Sequence, residues 1–182
     1  VALKRHFFDS FCINISYKGM MLMLMIRFLF AIGLAALLCH LPLRKPWLWW
    51  LKPVGHSPWE VQKYLVMPLF LQTFFECLDS PGPIYLPARL MMMVSGLIVM
   101  MILLYGCLAF FHLPGHIIYP LSYLSGLVAA FFAETIYLSK NITLHPYDPY
   151  FAALGILFIL LIFILNTYYP IDHWFFKNPE HP

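Results

Sequence analysis

Five long apolar stretches alternate with short segments rich in proline, glycine and charge. An α-helix needs about 20 mostly apolar residues to cross ~30 Å of hydrocarbon. By length and apolar content the spans fall near residues 20–43, 59–78, 87–111, 117–139 and 150–169. Breakers mark the connections: Pro42 and Pro46, then Pro53, then Ser80-Pro81-Gly82-Pro83, then Pro114-Gly115, then Pro146 and Pro149. The pattern predicts an all-α membrane protein, a bundle of about five transmembrane helices with short loops. Residues 20–182 read as a single transmembrane helical domain. Residues 1–19, with Lys4, Arg5 and Lys18 among Phe7, Phe8 and Phe11, read as an interfacial arm or a non-native leader. No short apolar core ends there in an A-x-A-like cleavage site.

Composition agrees with the pattern. Of the 182 residues, 62% are hydrophobic and 10% charged, against about 25% charged in a typical soluble domain. That is too little polar surface to cover a water-soluble fold, whereas lipid accepts apolar surface directly. The bilayer is therefore the expected partner, with a second copy or a membrane complex as further candidates. The net charge of +3 comes without a basic run, so nucleic-acid binding is not expected. Cys12, Cys39, Cys77 and Cys107 stand far apart and form no C-x-x-C pair, which argues against a redox motif or thiolate metal site. No cofactor is indicated.

Aromatic residues gather where interfaces should lie. Trp47, Trp49, Trp50 and Trp59 flank the first connection, and Tyr147, Tyr150, Tyr168, Tyr169 and Trp174 bracket the last span. Their amphipathic rings suit the headgroup zone. The basic residues divide almost evenly between the two faces, so orientation is not set by the positive-inside rule. Met91-Met92-Met93 and Met100-Met101 read as packing residues, because consecutive helical positions face different ways. Asn141-Ile142-Thr143 fits a glycosylation sequon.

The densest motif runs Lys52-Pro53-Val54-Gly55-His56-Ser57-Pro58-Trp59-Glu60-Val61-Gln62-Lys63. Ser57 is a good N-cap, Pro58 suits the first helical position, and Glu60 completes a capping box. Lys63, one turn on, can pair with Glu60. A sharper reading adds imidazoles: His40 ends the first span, His56 precedes the second, and His173 follows the fifth. Threading five spans puts His40, His56, Glu60, Lys63 and His173 on one membrane face. His40, His56 and Glu60 are then candidate metal ligands.

Ionisable residues within spans are costly in lipid and must pair, face protein or snorkel. Arg27 is placed to snorkel. Glu76 and Arg89 flank one short connection and can pair. Glu134, inside the apolar run 127–138, has only Lys140 nearby in sequence. Glu76 and Glu134 are the candidate buried carboxylates. Pro68 falls mid-span and should kink the second helix.

At the second helix, Pro53, Val54, Ser57, Trp59, Glu60, Lys63, Pro68 and Glu76 resemble a family of small bacterial and archaeal multi-pass membrane proteins, known as a domain of unknown function. That family carries a P-V-N-E-S-x-W-E-x-x-K motif. His40 resembles a histidine that closes its first span, and Tyr169-Pro170-Ile171-Asp172-His173-Trp174-Phe175-Phe176-Lys177-Asn178-Pro179 is similar to its aromatic tail. Here Gly55-His56 replaces the family's Asn-Glu. The resemblance implies the topology and a prokaryotic plasma-membrane location, but no reaction.

Three functions fit these residues. The leading one is a binding or permeation module for a small solute, metal ion or proton. The first alternative is a membrane-embedded enzyme acting on a lipid or isoprenoid, with the same cluster as acid and base. The second is an accessory subunit of a membrane complex.

Overall fold

A computed structural model of the protein describes residues 22–40, 51, 57–78, 84–107, 114–140 and 145–168, nearly all of them in five α-helices. These are α1 (Leu22–His40), then α2 (Pro58–Cys77), α3 (Tyr85–Gly106), α4 (Gly115–Ser139) and α5 (Asp148–Tyr168). The architecture is the all-α helical bundle expected of a multi-pass membrane protein. The expected leader, the Trp47–Trp50 cluster, the sequon and the C-terminal tail lie outside the described residues, as do His56 and His173.

Proline and short polar side chains set the helix starts. Ser57, in extended backbone, accepts a 3.2 Å hydrogen bond from the Glu60 amide, and Pro58 follows at the first helical position. Pro87 sits in the first turn of α3, where its missing N–H would have had no intrahelical acceptor. Asp148 opens α5 and accepts from the His145 amide at 2.7 Å. Pro68 lies inside α2 and Pro120 inside α4, and both helices run on through them.

Contacts fix the threading. Arg27 near the start of α1 reaches Glu76 at the end of α2, and Arg89 near the start of α3 reaches Glu134 near the end of α4. Trp59 at the start of α2 stacks on Phe163 near the end of α5, with ring centroids 4.4 Å apart and planes 17° off parallel. Successive helices therefore run antiparallel, and α1, α3 and α5 all begin at the same end of the bundle.

Four helices, α1, α3, α4 and α5, are long and apolar enough to cross a membrane. α2 has the length, but Glu60, Gln62, Lys63, Gln72 and Glu76 dilute its apolarity. Of the about five expected spans, five helices are present and four qualify by length and composition. α2 is the inner helix: Val61 to Lys63, Leu65 to Leu69, Gln72 and Thr73 are all buried, and it packs on α3, α4 and α5. α5, by contrast, buries only Ala152, Ile156 and Phe163. Most of the least apolar helix is thus covered by the more apolar ones, with Phe74 and Phe75 left exposed near its end. That arrangement satisfies the solvent preference of each.

The tightest crossing joins α3 to α4 at mid-bundle. A Cβ on Gly96 would lie 2.9 Å from the Gly126 carbonyl oxygen and 2.9 Å from Ala130 Cβ. One on Gly126 would lie 2.9 Å from the Gly96 carbonyl oxygen. Two glycines and an alanine let the backbones touch, the usual way membrane helices gain packing energy without a hydrophobic drive between them. Leu65, Leu69, Met92, Met93, Met100, Leu127 and Ala130 fill the interior around this crossing. Met91 is exposed while Met92 and Met93 are buried, so the methionine run divides between faces.

Candidate functional site

Four helices each send one charged side chain to the same end of the bundle. Arg27 comes from the second turn of α1, Glu76 from the last turn of α2, Arg89 from the second turn of α3, and Glu134 from the last two turns of α4. Arg27 Nε donates to Glu76 Oε1 at 3.1 Å, and Arg27 Nη2 donates to Glu134 Oε1 at 2.7 Å. Arg89 Nη2 pairs with Glu76 Oε2, and Arg89 Nη1 lies 3.3 Å from Glu134 Oε1. Each guanidinium therefore bridges both carboxylates, and each carboxylate bridges both guanidiniums.

Further groups hold these charges in place. Gln72, one turn before Glu76, donates to its Oε1 at 3.0 Å. Arg89 also donates to the Tyr85 hydroxyl and lies 4.5 Å over that ring, and Arg27 lies 5.9 Å over Phe131. The cluster has an inner and an outer half. The Arg89 and Glu134 side chains are 0% and 2% exposed, whereas those of Arg27 and Glu76 are 19% and 29% exposed. Two positive and two negative charges sum to zero. Removing one leaves an uncompensated charge at an apolar site, which costs about 3–5 kcal/mol when a buried pair is broken.

This arrangement corrects two expectations. Arg27 does not snorkel toward headgroups; it turns inward, because two carboxylates lie within hydrogen-bonding reach. Glu134 is not paired with Lys140, which is exposed beyond the end of α4. Six positions along a helix turn a side chain to a different face, and the partners of Glu134 come from α1 and α3. The Glu76–Arg89 pair across the short connection is present. A sequence signal for the whole cluster existed. Alternating threading puts all four residues near one end, one per helix, with signs that cancel.

The opposite end holds the other described candidate residues. Lys63 is fully buried, and its ammonium sits 2.6 Å from Glu60 Oε1 and 2.7 Å from Glu60 Oε2. With both its oxygens facing Lys63, the Glu60 carboxylate is engaged by an ammonium. His40 is exposed at the end of α1. The proposed partners His56 and His173 are outside the described residues. Among the described residues, no three His, Cys, Asp or Glu side chains are grouped so as to hold a metal ion. Cys39, Cys77 and Cys107 are free thiols. Trp59 packs inward on Phe163, while Tyr147, Tyr150 and Tyr168 remain exposed about the two ends of α5.

Lys63 and Glu76 are 13 positions apart on α2, about 20 Å along the axis. Between these two ionic nodes the described interior is mostly apolar, around Leu65, Leu69, Met93 and Leu127, with Gln72 and Thr73 buried toward the cluster. No family model, curated protein or solved structure matches this chain. What stands on its own is a multi-pass, helical integral membrane protein.

Proposed function

We propose that the chain is a proton-binding module at one membrane face, with the Arg27–Glu76–Arg89–Glu134 cluster as its site. The observation that carries this is the double bridging of two guanidiniums by two carboxylates, half open and half sealed. A solute ion or metal entering the cluster finds every charge already matched and must displace one. A proton needs no room of its own: it adds to a carboxylate oxygen already in place, at the cost of weakening that oxygen's hold on a guanidinium. Glu76, the more exposed carboxylate, is the entry point. When it is neutralised, Glu134 still bridges both guanidiniums, so α1, α3 and α4 stay joined while α2 loses its ion pairs and the site gains one positive charge. The apolar layer between the two nodes favours binding at one face over passage through the bundle.

Of the wider readings, an accessory subunit has one observation in its favour: the same self-neutralised cluster also serves as a purely structural clamp between four helices. The enzyme reading has less support, because both carboxylates of the cluster are held by arginine rather than facing a cavity. The family likeness, and with it a prokaryotic plasma-membrane setting, rests in this proposal on the residues around Ser57-x-Trp59-Glu60-x-x-Lys63.

Infrared difference spectroscopy of the purified protein in lipid nanodiscs distinguishes site from clamp. Acidification is expected to produce a protonated-carboxyl band that Glu76→Gln removes and Asp148→Asn leaves unchanged. If neither Glu76→Gln nor Glu134→Gln alters the carboxyl bands over the pH range in which the protein stays folded, the cluster is a clamp and the proposal fails.

A further inference from the structure

Gln72 is the odd member of the charge cluster. It lies one turn before Glu76 on α2 and is 1% exposed, and its two polar atoms fare differently. Nε2 donates to Glu76 Oε1 at 3.0 Å. Oε1 is buried and has no hydrogen-bond partner among the described residues. A buried acceptor left unpaired is unfavourable, and the great majority of such atoms in folded proteins are paired.

The surroundings of Glu76 give the unpaired atom a use. Arg27 of α1 donates to Glu76 through Nε at 3.1 Å and Nη2 at 3.4 Å, and Arg89 of α3 donates through Nη2. A guanidinium has donors and no acceptor. The Tyr85 hydroxyl is taken by Arg89, and Glu134 of α4 is held by the same two guanidiniums. Among the described residues, α5 contributes no ion pair to the cluster. This shell suits a carboxylate, which only accepts. It does not suit a carboxylic acid, whose O–H must donate. Of the three side chains that hold Glu76, Gln72 alone carries an acceptor, and that acceptor is unengaged.

Acceptance needs only a local turn. The last torsion of a glutamine side chain is soft and roughly two-fold, and half a rotation of the planar amide brings Oε1 close to the place Nε2 held. We infer that Gln72 is the positioning residue of the proton site. It donates to Glu76 when the carboxylate is charged, and with its amide turned over it accepts from the Glu76 hydroxyl when the proton is bound. Either orientation leaves one amide atom unpaired, so the turn adds no new unpaired group and the charge on Glu76 sets the choice. The inference rests on the proton-binding reading of Glu76 and goes beyond it by naming the group that receives the acid hydrogen.

The test is infrared difference spectroscopy of the full-length protein in lipid nanodiscs, with glutamine isotope-labelled at the side-chain carbonyl. The chain has two glutamines, Gln62 and Gln72, and Gln62→Leu, remote from the cluster, identifies the band of Gln72. Acidification is expected to lower the frequency of the Gln72 carbonyl band, as its oxygen passes from no partner to a donor. The change should share the midpoint at which the Glu76 carboxyl band appears, while the Gln62 band stays fixed. In Gln72→Met the Glu76 carboxyl band is expected at higher frequency, because the acid has lost its acceptor; loss of a mere brace would leave that frequency unchanged. A Glu76 band without any fall in the Gln72 band, or at the same frequency in Gln72→Met, would overturn this inference and leave the proton site standing. Absence of a Glu76 band in the wild type would overturn both.

Discussion

Adding one methyl group at Gly126 should loosen the bundle at its tightest point. A Cβ there would sit 2.9 Å from the Gly96 carbonyl oxygen, 3.0 Å from Met100 Cβ and 3.3 Å from Leu65 Cδ2. The leucine methyl can swing aside, but a backbone oxygen and a backbone-proximal Cβ move only if α3 moves. Opening the contact to an ordinary carbon–oxygen separation means shifting α3 from α4 by roughly half an ångström, in the range where overpacking costs about 1–3 kcal/mol. That is about a fivefold to more than hundredfold loss in the folding equilibrium, since 1.4 kcal/mol is about tenfold. Gly33→Ala is the control. Nothing lies within 4 Å of its Cβ position, so the helix gains a better helix former at no steric cost. Reversible unfolding in mixed detergent micelles measures both. Gly126→Ala should be less stable than wild type, and Gly33→Ala equal or more stable. Gly126→Ala matching Gly33→Ala would refute the claim that backbone contact governs this crossing.

Two more outcomes follow from the ionic nodes. Arg89→Met should destabilise the protein by about 3–5 kcal/mol, because two carboxylates then share one guanidinium; Arg89→Met with Glu134→Gln should recover most of the loss by restoring neutrality. The same unfolding assay checks this, and a double variant no better than the single one would contradict it. Lys63 should resist a membrane-permeant amine-acylating reagent that labels exposed Lys140 in the folded protein. Peptide mapping after labelling reads the two sites, and comparable modification would show that Lys63 is not sealed beside Glu60.

Much of the fold was readable from the chain because apolar length is a one-dimensional property. Each helix needs its own run of residues, and Ser57-Pro58 and Pro114-Gly115 announce where two of them begin. The Glu76–Arg89 pair was also readable, since one short connection brings both residues to the same end. Arg27 and Glu134 were different. They are 107 positions apart, and their meeting depends on which faces of α1 and α4 turn inward. Arg27 looked able to snorkel, and Lys140 looked like a partner for Glu134, only because proximity along the chain stood in for proximity in space. The inner position of α2 was hidden for a related reason. Its composition resembles a poorer span, and only packing reveals that Gln62, Lys63, Gln72 and Thr73 are buried. The histidine grouping began instead from residue chemistry, and His56 and His173 lie outside the described residues.

The burial of α2 bears on how the chain enters the bilayer. A charged side chain at a helix centre adds about 2.5–3.5 kcal/mol to the free energy of insertion, and less toward the ends; α2 bears Glu60 and Lys63 in its first two turns, Glu76 in its last, and two glutamines between. Lys63 answers Glu60 within the helix and Arg27 on α1 answers Glu76, while Arg89, the second partner of Glu76, is synthesised later, on α3. On its own, α2 would turn Gln62, Gln72 and Glu76 toward lipid, so it depends on neighbouring helices to cover them. Synthesis of α3 is then expected to complete the ion-pair set of a helix made before it.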